Sequence, residues 1–243
     1  MALLPGVADA GLRARAAVDR LNGLPALRLR PHDVIAVTAL RGARASAALA
    51  GAEVDEEALR SGAAFDDPVT GAIARGAVRL VAELGPVAPV WGTAPLQALA
   101  RLHAVAAASG LGEEEALGRP ASVEAAARLE QLAAALTAPS RAPAVVVAAI
   151  VHAEVLATEA FGEWSGLVAR AASRCVLIQR GLDRGGVVAP EVGHWELGLT
   201  EYQIALAGYG SGTPEGVAAW VAHCARAFEI AAGDALAVCA QFR

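Results

Sequence analysis

Residues 145–161 read VVVAAIVHAEVLATEAF, and residues 164–170 read WSGLVAR. The first run is apolar almost all round, the pattern of a helix buried on every side. It breaks at Phe161-Gly162-Glu163, and a second helix starts at about Trp164. A buried helix that ends beside the N-terminus of the next one builds the floor of a pocket. Free backbone N–H groups at that N-terminus favour an anion, commonly a phosphate. The same residues also read as an ordinary helical hairpin with a glycine turn. Either way, a buried helix pair stands at the centre of the molecule.

Helical patterns punctuated by Gly and Pro fill the rest of the chain. Helices are expected from Ala8 to Leu21, from near Asp33 to Gly51, and from Asp67-Pro68 to Gly85-Pro86. Thr93 is expected to cap a fourth, ending at Gly110, and Ser122 a fifth, reaching about Thr137. A sixth follows Pro143 and runs to about Ala160, and a seventh runs from about Trp164 to Leu182. A short helix around Tyr202 and a long one after Thr213-Pro214 complete the chain. Gly181 to Gly193 reads as the loosest joint. Between Gly110 and Ser122 there are too few strand-forming residues for a regular hairpin.

Composition agrees with this pattern. Of the 243 residues, 56% are apolar and 19% charged, which excludes a disordered chain. Aromatics are only 4% and alanine is the commonest apolar residue, so the expected class is all-α with few or no strands. The cations are all Arg, the net charge is −5, and no basic block stands out. Nucleic acid and anionic membrane are therefore not expected partners. The longest apolar stretch, Ala142 to Val151, is half the roughly 20 residues a bilayer requires. The N-terminus lacks a basic start followed by an apolar run, so no signal peptide is expected. Cys175, Cys224 and Cys239 are odd in number and form no CxxC. That points to reduced thiols and a cytoplasmic protein.

Several motif fragments lack their chemistry. His152-Ala153-Glu154 is half of a zinc deaminase signature, but no P-C-x-x-C accompanies it. His152 reads instead as a core residue with one hydrogen bond. Gly208-Tyr209-Gly210-Ser211-Gly212 has no preceding strand and no following GK[ST], so it reads as a helix stop. Glu113-Glu114-Glu115 reads as a solvated loop or helix start. No G-x-S-x-G occurs, and the five histidines (32, 103, 152, 194 and 223) show no metal-ligand spacing.

The segment from His152 to Arg180 resembles the Fic (Fido) family. That family's motif, H-x-F-x-[DE]-G-N-G-R-x-x-R, aligns with Glu159-Ala160-Phe161-Gly162-Glu163-Trp164-Ser165-Gly166-Leu167-Val168-Ala169-Arg170. Phe161, Glu163, Gly166 and Arg170 match. Glu159 stands where the motif has His, Trp164 where it has the first Gly, Ser165 where it has Asn and Leu167 where it has the first Arg. Ile150-Val151-His152-Ala153-Glu154 is similar to the family's lead-in, and Leu102-His103 to Pro120 to the segment before its target-binding flap. Tyr202, Leu206 and Trp220 resemble landmarks of its C-terminal helices. Ala45 to Gly51 resembles its inhibitory helix, [ST]-x-x-x-E-[GN], with Ser46 and Gly51 in place and Ala50 where Glu belongs. Order and spacing agree from about residue 33 to 240. The resemblance implies an N-terminal helical extension over residues 1–30 and a Fic-like helical domain over residues 31–243.

The resemblance also implies roles. The family's His is a general base, its acidic residue holds Mg²⁺, its glycine-rich turn binds the phosphates of ATP and its first Arg clamps them. These roles fall on Glu159 as base, Glu163 as metal ligand, and Ser165, Gly166 and Arg170 as anion contacts. Glu is a weak base near neutral pH and repels phosphate. Leu167 removes a transition-state cation, a loss worth roughly 10² or more in rate. Trp164 brings a ring where Gly allowed close approach. The family's inhibitory Glu pairs with a motif Arg, and here both ends are missing, as Ala50 and Leu167. Two functions follow. One is a Fic-like pseudoenzyme acting as a binding or regulatory module for a protein partner. The other is an enzyme with altered phosphate chemistry, using Glu159 and Glu163 as paired carboxylates around a metal or water. Mg²⁺ and ATP are expected only if the pocket is functional.

Overall fold

A computed structural model describes residues 7–108 and 116–242. It is all-α, and the described residues contain no strand. The helices are α1 (Val7–Asn22), α2 (Pro25–Leu29), α3 (Pro31–Leu49), α4 (Glu56–Ser61), α5 (Thr70–Trp91) and α6 (Pro95–Ala107). They continue as α7 (Val123–Thr137), α8 (Ala144–Ala157), α9 (Ser165–Gln179), α10 (Pro190–Leu197), α11 (Leu199–Gly210) and α12 (Pro214–Ala240). No helix among the described residues is long and apolar enough to cross a membrane.

The α8–α9 pair is the centre. Val145, Val146, Ala148, Ala149, Val151, Ala153 and Val155 of α8 are all buried. In α9, every residue from Leu167 to Leu177 is buried, two arginines included. α5 and α6 pack on α9, while α1, α11 and α12 pack on α8 or on each other. α1 buries Ala10, Ala14, Ala17, Val18 and Leu21, one stripe at helical spacing, in the same core. Glycine permits the closest crossings. A Cβ on Gly193 would sit 1.9 Å from the Ala227 carbonyl oxygen, so α10 meets α12 backbone to backbone.

Several boundaries differ from the sequence expectation, each for a physical reason. α5 does not stop at Gly85-Pro86 but runs on to Trp91. Pro86 and Pro89 both lie on its exposed face, where the carbonyls they leave unpaired face water. Thr93 does not cap α6. Its hydroxyl donates back to Val90 O (3.2 Å), and Ala94 is the capping residue. Ser122 and Thr213 do cap, accepting from the N–H groups of Ala125 (3.0 Å) and Gly216 (3.1 Å). α10 starts inside the stretch that reads as a loose joint. Its Pro190 occupies the first helical turn, the one place a helix welcomes Pro. The acidic run Glu113-Glu114-Glu115, and the flap expectation from Gly110 to Glu115, lie outside the described residues. Residues 116–122 form turns.

Candidate active site

α8 ends three residues earlier than the sequence suggests. The Ala160 N–H donates to Val155 O (3.1 Å) and the Glu159 N–H to Leu156 O (3.1 Å). This is a Schellman closure with Glu159 in the left-handed position (φ 46°), where glycine is the usual occupant. Glu159 is the single non-glycine with positive φ among the described residues. The chain then makes a 3-10 turn over Gly162–Trp164 and enters α9. Ser165 fixes the turn, because its Oγ accepts from the Phe161 N–H (2.8 Å).

A clamp lies over this turn. The Ala121 N–H donates to Ala160 O (2.9 Å). The Phe161 ring is buried and lies 4.7 Å, centroid to centroid, from the His103 ring. His103 Nδ1 accepts from the Gly118 N–H (3.1 Å), so that nitrogen is unprotonated. Burial pushes the His103 pKa down, in keeping with a neutral ring.

The sequence-predicted site residues divide into two groups. Glu159 and Glu163 are exposed. Trp164 and Leu167 turn inward and are 4% and 2% exposed. Both meet α5 at Gly76, where a Cβ would lie 3.1 Å from the Trp164 ring and 3.4 Å from Leu167 Cδ1. The Trp164 ring is thus core packing between helices. Gly166 is half-buried, and the Arg170 guanidinium folds back beneath it, 3.2 Å from where a Gly166 Cβ would be.

Arg170 is 2% exposed and bonds Ser46 of α3, with the Tyr202 side chain as a second partner. Its Nε donates to Ser46 Oγ (2.9 Å) and its Nη2 to Ser46 O (2.8 Å). α3 itself ends in a second Schellman closure, with Gly51 in the left-handed position (φ 87°) and Ala50 as the capping residue. Below Arg170, Arg174 Nη2 donates to Gly186 O (2.9 Å), and Nη1 lies 3.8 Å from Glu191 Oε1. Burial pushes the Glu191 carboxyl up from its ordinary value, and nearby Arg174 partly opposes this.

These residues lack the positive charge that a Mg²⁺–nucleotide site commonly sets beside its carboxylates. Mg²⁺ takes hard oxygen ligands, usually carboxylates plus substrate phosphates. The phosphates in turn need cations or free N–H groups. From Thr158 to Leu167 the only charged residues are Glu159 and Glu163, both negative. Leu167 offers no charge, and the Arg170 guanidinium is spent on Ser46.

The architecture matches that of a solved structure, a Fic family protein from Desulfovibrio desulfuricans G20. The TM-score is 0.74 over 96% of this chain and 74% of that one, at 16% sequence identity. The chain has the Fic fold. No protein-family model and no curated protein matches the sequence. Within the Fic fold, the α8–α9 turn is the segment that resembles the family motif, and α3 the one that resembles the inhibitory helix.

One cluster escaped the sequence reading. His152 does make a buried hydrogen bond, its Nε2 lying 2.7 Å from the Tyr202 hydroxyl. The fold also brings His194 and Cys224 beside it, although sequence spacing shows no metal-ligand pattern. The three come from α8, α10 and α12, and spacing along one chain is blind to that convergence.

Proposed function

We infer that this is a Fic-fold protein without nucleotidyl transfer, acting as a binding or regulatory module for a protein partner. The observation that carries this reading is the charge of the α8–α9 turn. It presents two exposed carboxylates, while its one cation, Arg170, is buried on Ser46. An incoming triphosphate meets repulsion where catalysis needs positioned positive charge. Loss of the Glu that the family's inhibitory helix carries, Ala50 here, fits a site with nothing left to inhibit. An apolar groove between α3 and α5, lined by Ile35, Leu40, Val78 and Val81, supports a protein partner over a small polar ligand. Three free, buried thiols fit a cytoplasmic setting.

The test is transfer of label. The full chain is incubated with α-phosphate-labelled ATP, CTP or GTP, Mg²⁺ and a mixture of cytosolic proteins. No protein-bound label above a chain-free control is expected. Labelling that disappears in Glu159→Gln or Glu163→Gln would establish the enzymatic alternative.

A further inference from the structure

We propose that His152, His194 and Cys224 form a site for one zinc-class divalent metal ion. A ligand atom of each lies within 4.8 Å of those of the other two. In a tetrahedral zinc site, bonds of about 2.0–2.3 Å put ligand atoms roughly 3.5 Å apart, so side-chain adjustments of about an ångström close the set. Two imidazoles and one thiolate are borderline-to-soft donors. They suit zinc or cobalt and disfavour Mg²⁺ and Ca²⁺, which take oxygen. A small fourth ligand such as water completes the tetrahedron.

The surroundings prepare the imidazoles for this role. His194 Nδ1 lies 3.0 Å from His223 Nε2, and His223 Nδ1 lies 3.5 Å from Glu201 Oε1. A carboxylate only accepts, so the hydrogen placement that serves Glu201 puts a proton on His223 Nδ1. His223 Nε2 is then an acceptor and His194 Nδ1 the donor, which leaves a lone pair on His194 Nε2 for a metal. This carboxylate–histidine–histidine chain is the outer support that metal-bound imidazoles commonly have. His223 Nδ1 otherwise has no hydrogen-bond partner although it is buried. On the other ring, Tyr202 holds His152 through Nε2.

Charge also has to balance. Binding replaces the Cys224 S–H bond with a metal–sulfur bond and releases one proton to solvent. The thiolate offsets one of the two positive charges. Arg170 opposes the remainder, and Glu201, acting through His223, offsets it.

The experiment uses the full chain produced in zinc- or cobalt-supplemented medium, then desalted. Elemental analysis is expected to find about one ion per chain. The cobalt form is expected to show a thiolate-to-cobalt charge-transfer band and tetrahedral d–d bands. Cys224→Ser, checked for folding by circular dichroism, is expected to lose the charge-transfer band. Cys239→Ser and His32→Ala are expected to keep it. A folded wild-type chain that carries neither metal overturns the proposal, as does a charge-transfer band that survives Cys224→Ser. The wild-type metal content and spectrum decide the matter even if the Cys224 variant does not fold.

Discussion

Two residues close their helices with the same geometry. Gly51 and Glu159 both occupy the left-handed position of a Schellman closure. Glycine adopts it freely, whereas an L side chain pays roughly 1–2 kcal/mol. Glu159→Gly is therefore expected to stabilise the fold by about 0.5–1 kcal/mol, the gain trimmed by the greater freedom of unfolded Gly. Glu159→Val is expected to destabilise it, because a β-branched residue tolerates positive φ least. Urea denaturation of the three proteins gives the order. Ser46 carries a different burden, since it supplies two acceptors to a buried guanidinium. Ser46→Ala leaves Arg170 Nε unpaired and is expected to cost about 1–3 kcal/mol. Read by the same denaturation curves, a neutral outcome would mean that Arg170 finds another acceptor.

At the scale of elements, glycine sets which helices can touch. Gly193→Ala places a methyl 1.9 Å from the Ala227 carbonyl oxygen, and no flexible side chain is there to yield. α10 has to move off α12, and a loss of several kcal/mol is expected, visible as a large drop in Tm. Gly85→Ala, with nothing within 4 Å of the new methyl, is the matched control and is expected to be neutral or slightly stabilising. The long helices were legible in the sequence wherever composition and caps agreed. The all-round apolar run of α8, Ser122 before α7 and Thr213-Pro214 before α12 are such cases. α5 outruns its sequence pattern because Pro86 and Pro89 look like breakers, and a one-dimensional pattern does not say that both face solvent. α10 is hidden in the sequence because the glycines before it suggest a joint. The break at Phe161-Gly162-Glu163 is legible in the residues themselves, and α8 gives way to α9 there. The inward rotation of Trp164 and Leu167 follows from the open space at Gly76 on another helix, which no local reading contains.

Across the whole molecule, four of the five histidines are buried. His103, His152, His194 and His223 all have pKa values pushed down, chiefly by burial. Unfolded histidines titrate near 6.5, so below that pH the unfolded chain binds more protons and the fold loses stability. Asp183 and Glu191, whose pKa values burial raises, work in the opposite direction as pH falls. The imidazoles outnumber them. A net loss is expected between pH 7.5 and 5.5, up to about 1.4 kcal/mol per pH unit for each uncompensated group. Thermal melts across that range measure it, and a Tm that holds or rises on acidification would show that the buried carboxyls dominate. Surface chemistry, by contrast, is sparse at the place where the Fic fold resembles its family's motif. There the chain offers two carboxylates, with the neighbouring guanidinium turned inward. The most direct measurement is therefore calorimetric titration of the full chain with ATP, CTP and GTP in the presence of Mg²⁺. No heat of binding from any of the three is expected. Saturable heat from any one would contradict a Fic-fold protein that has given up its nucleotide.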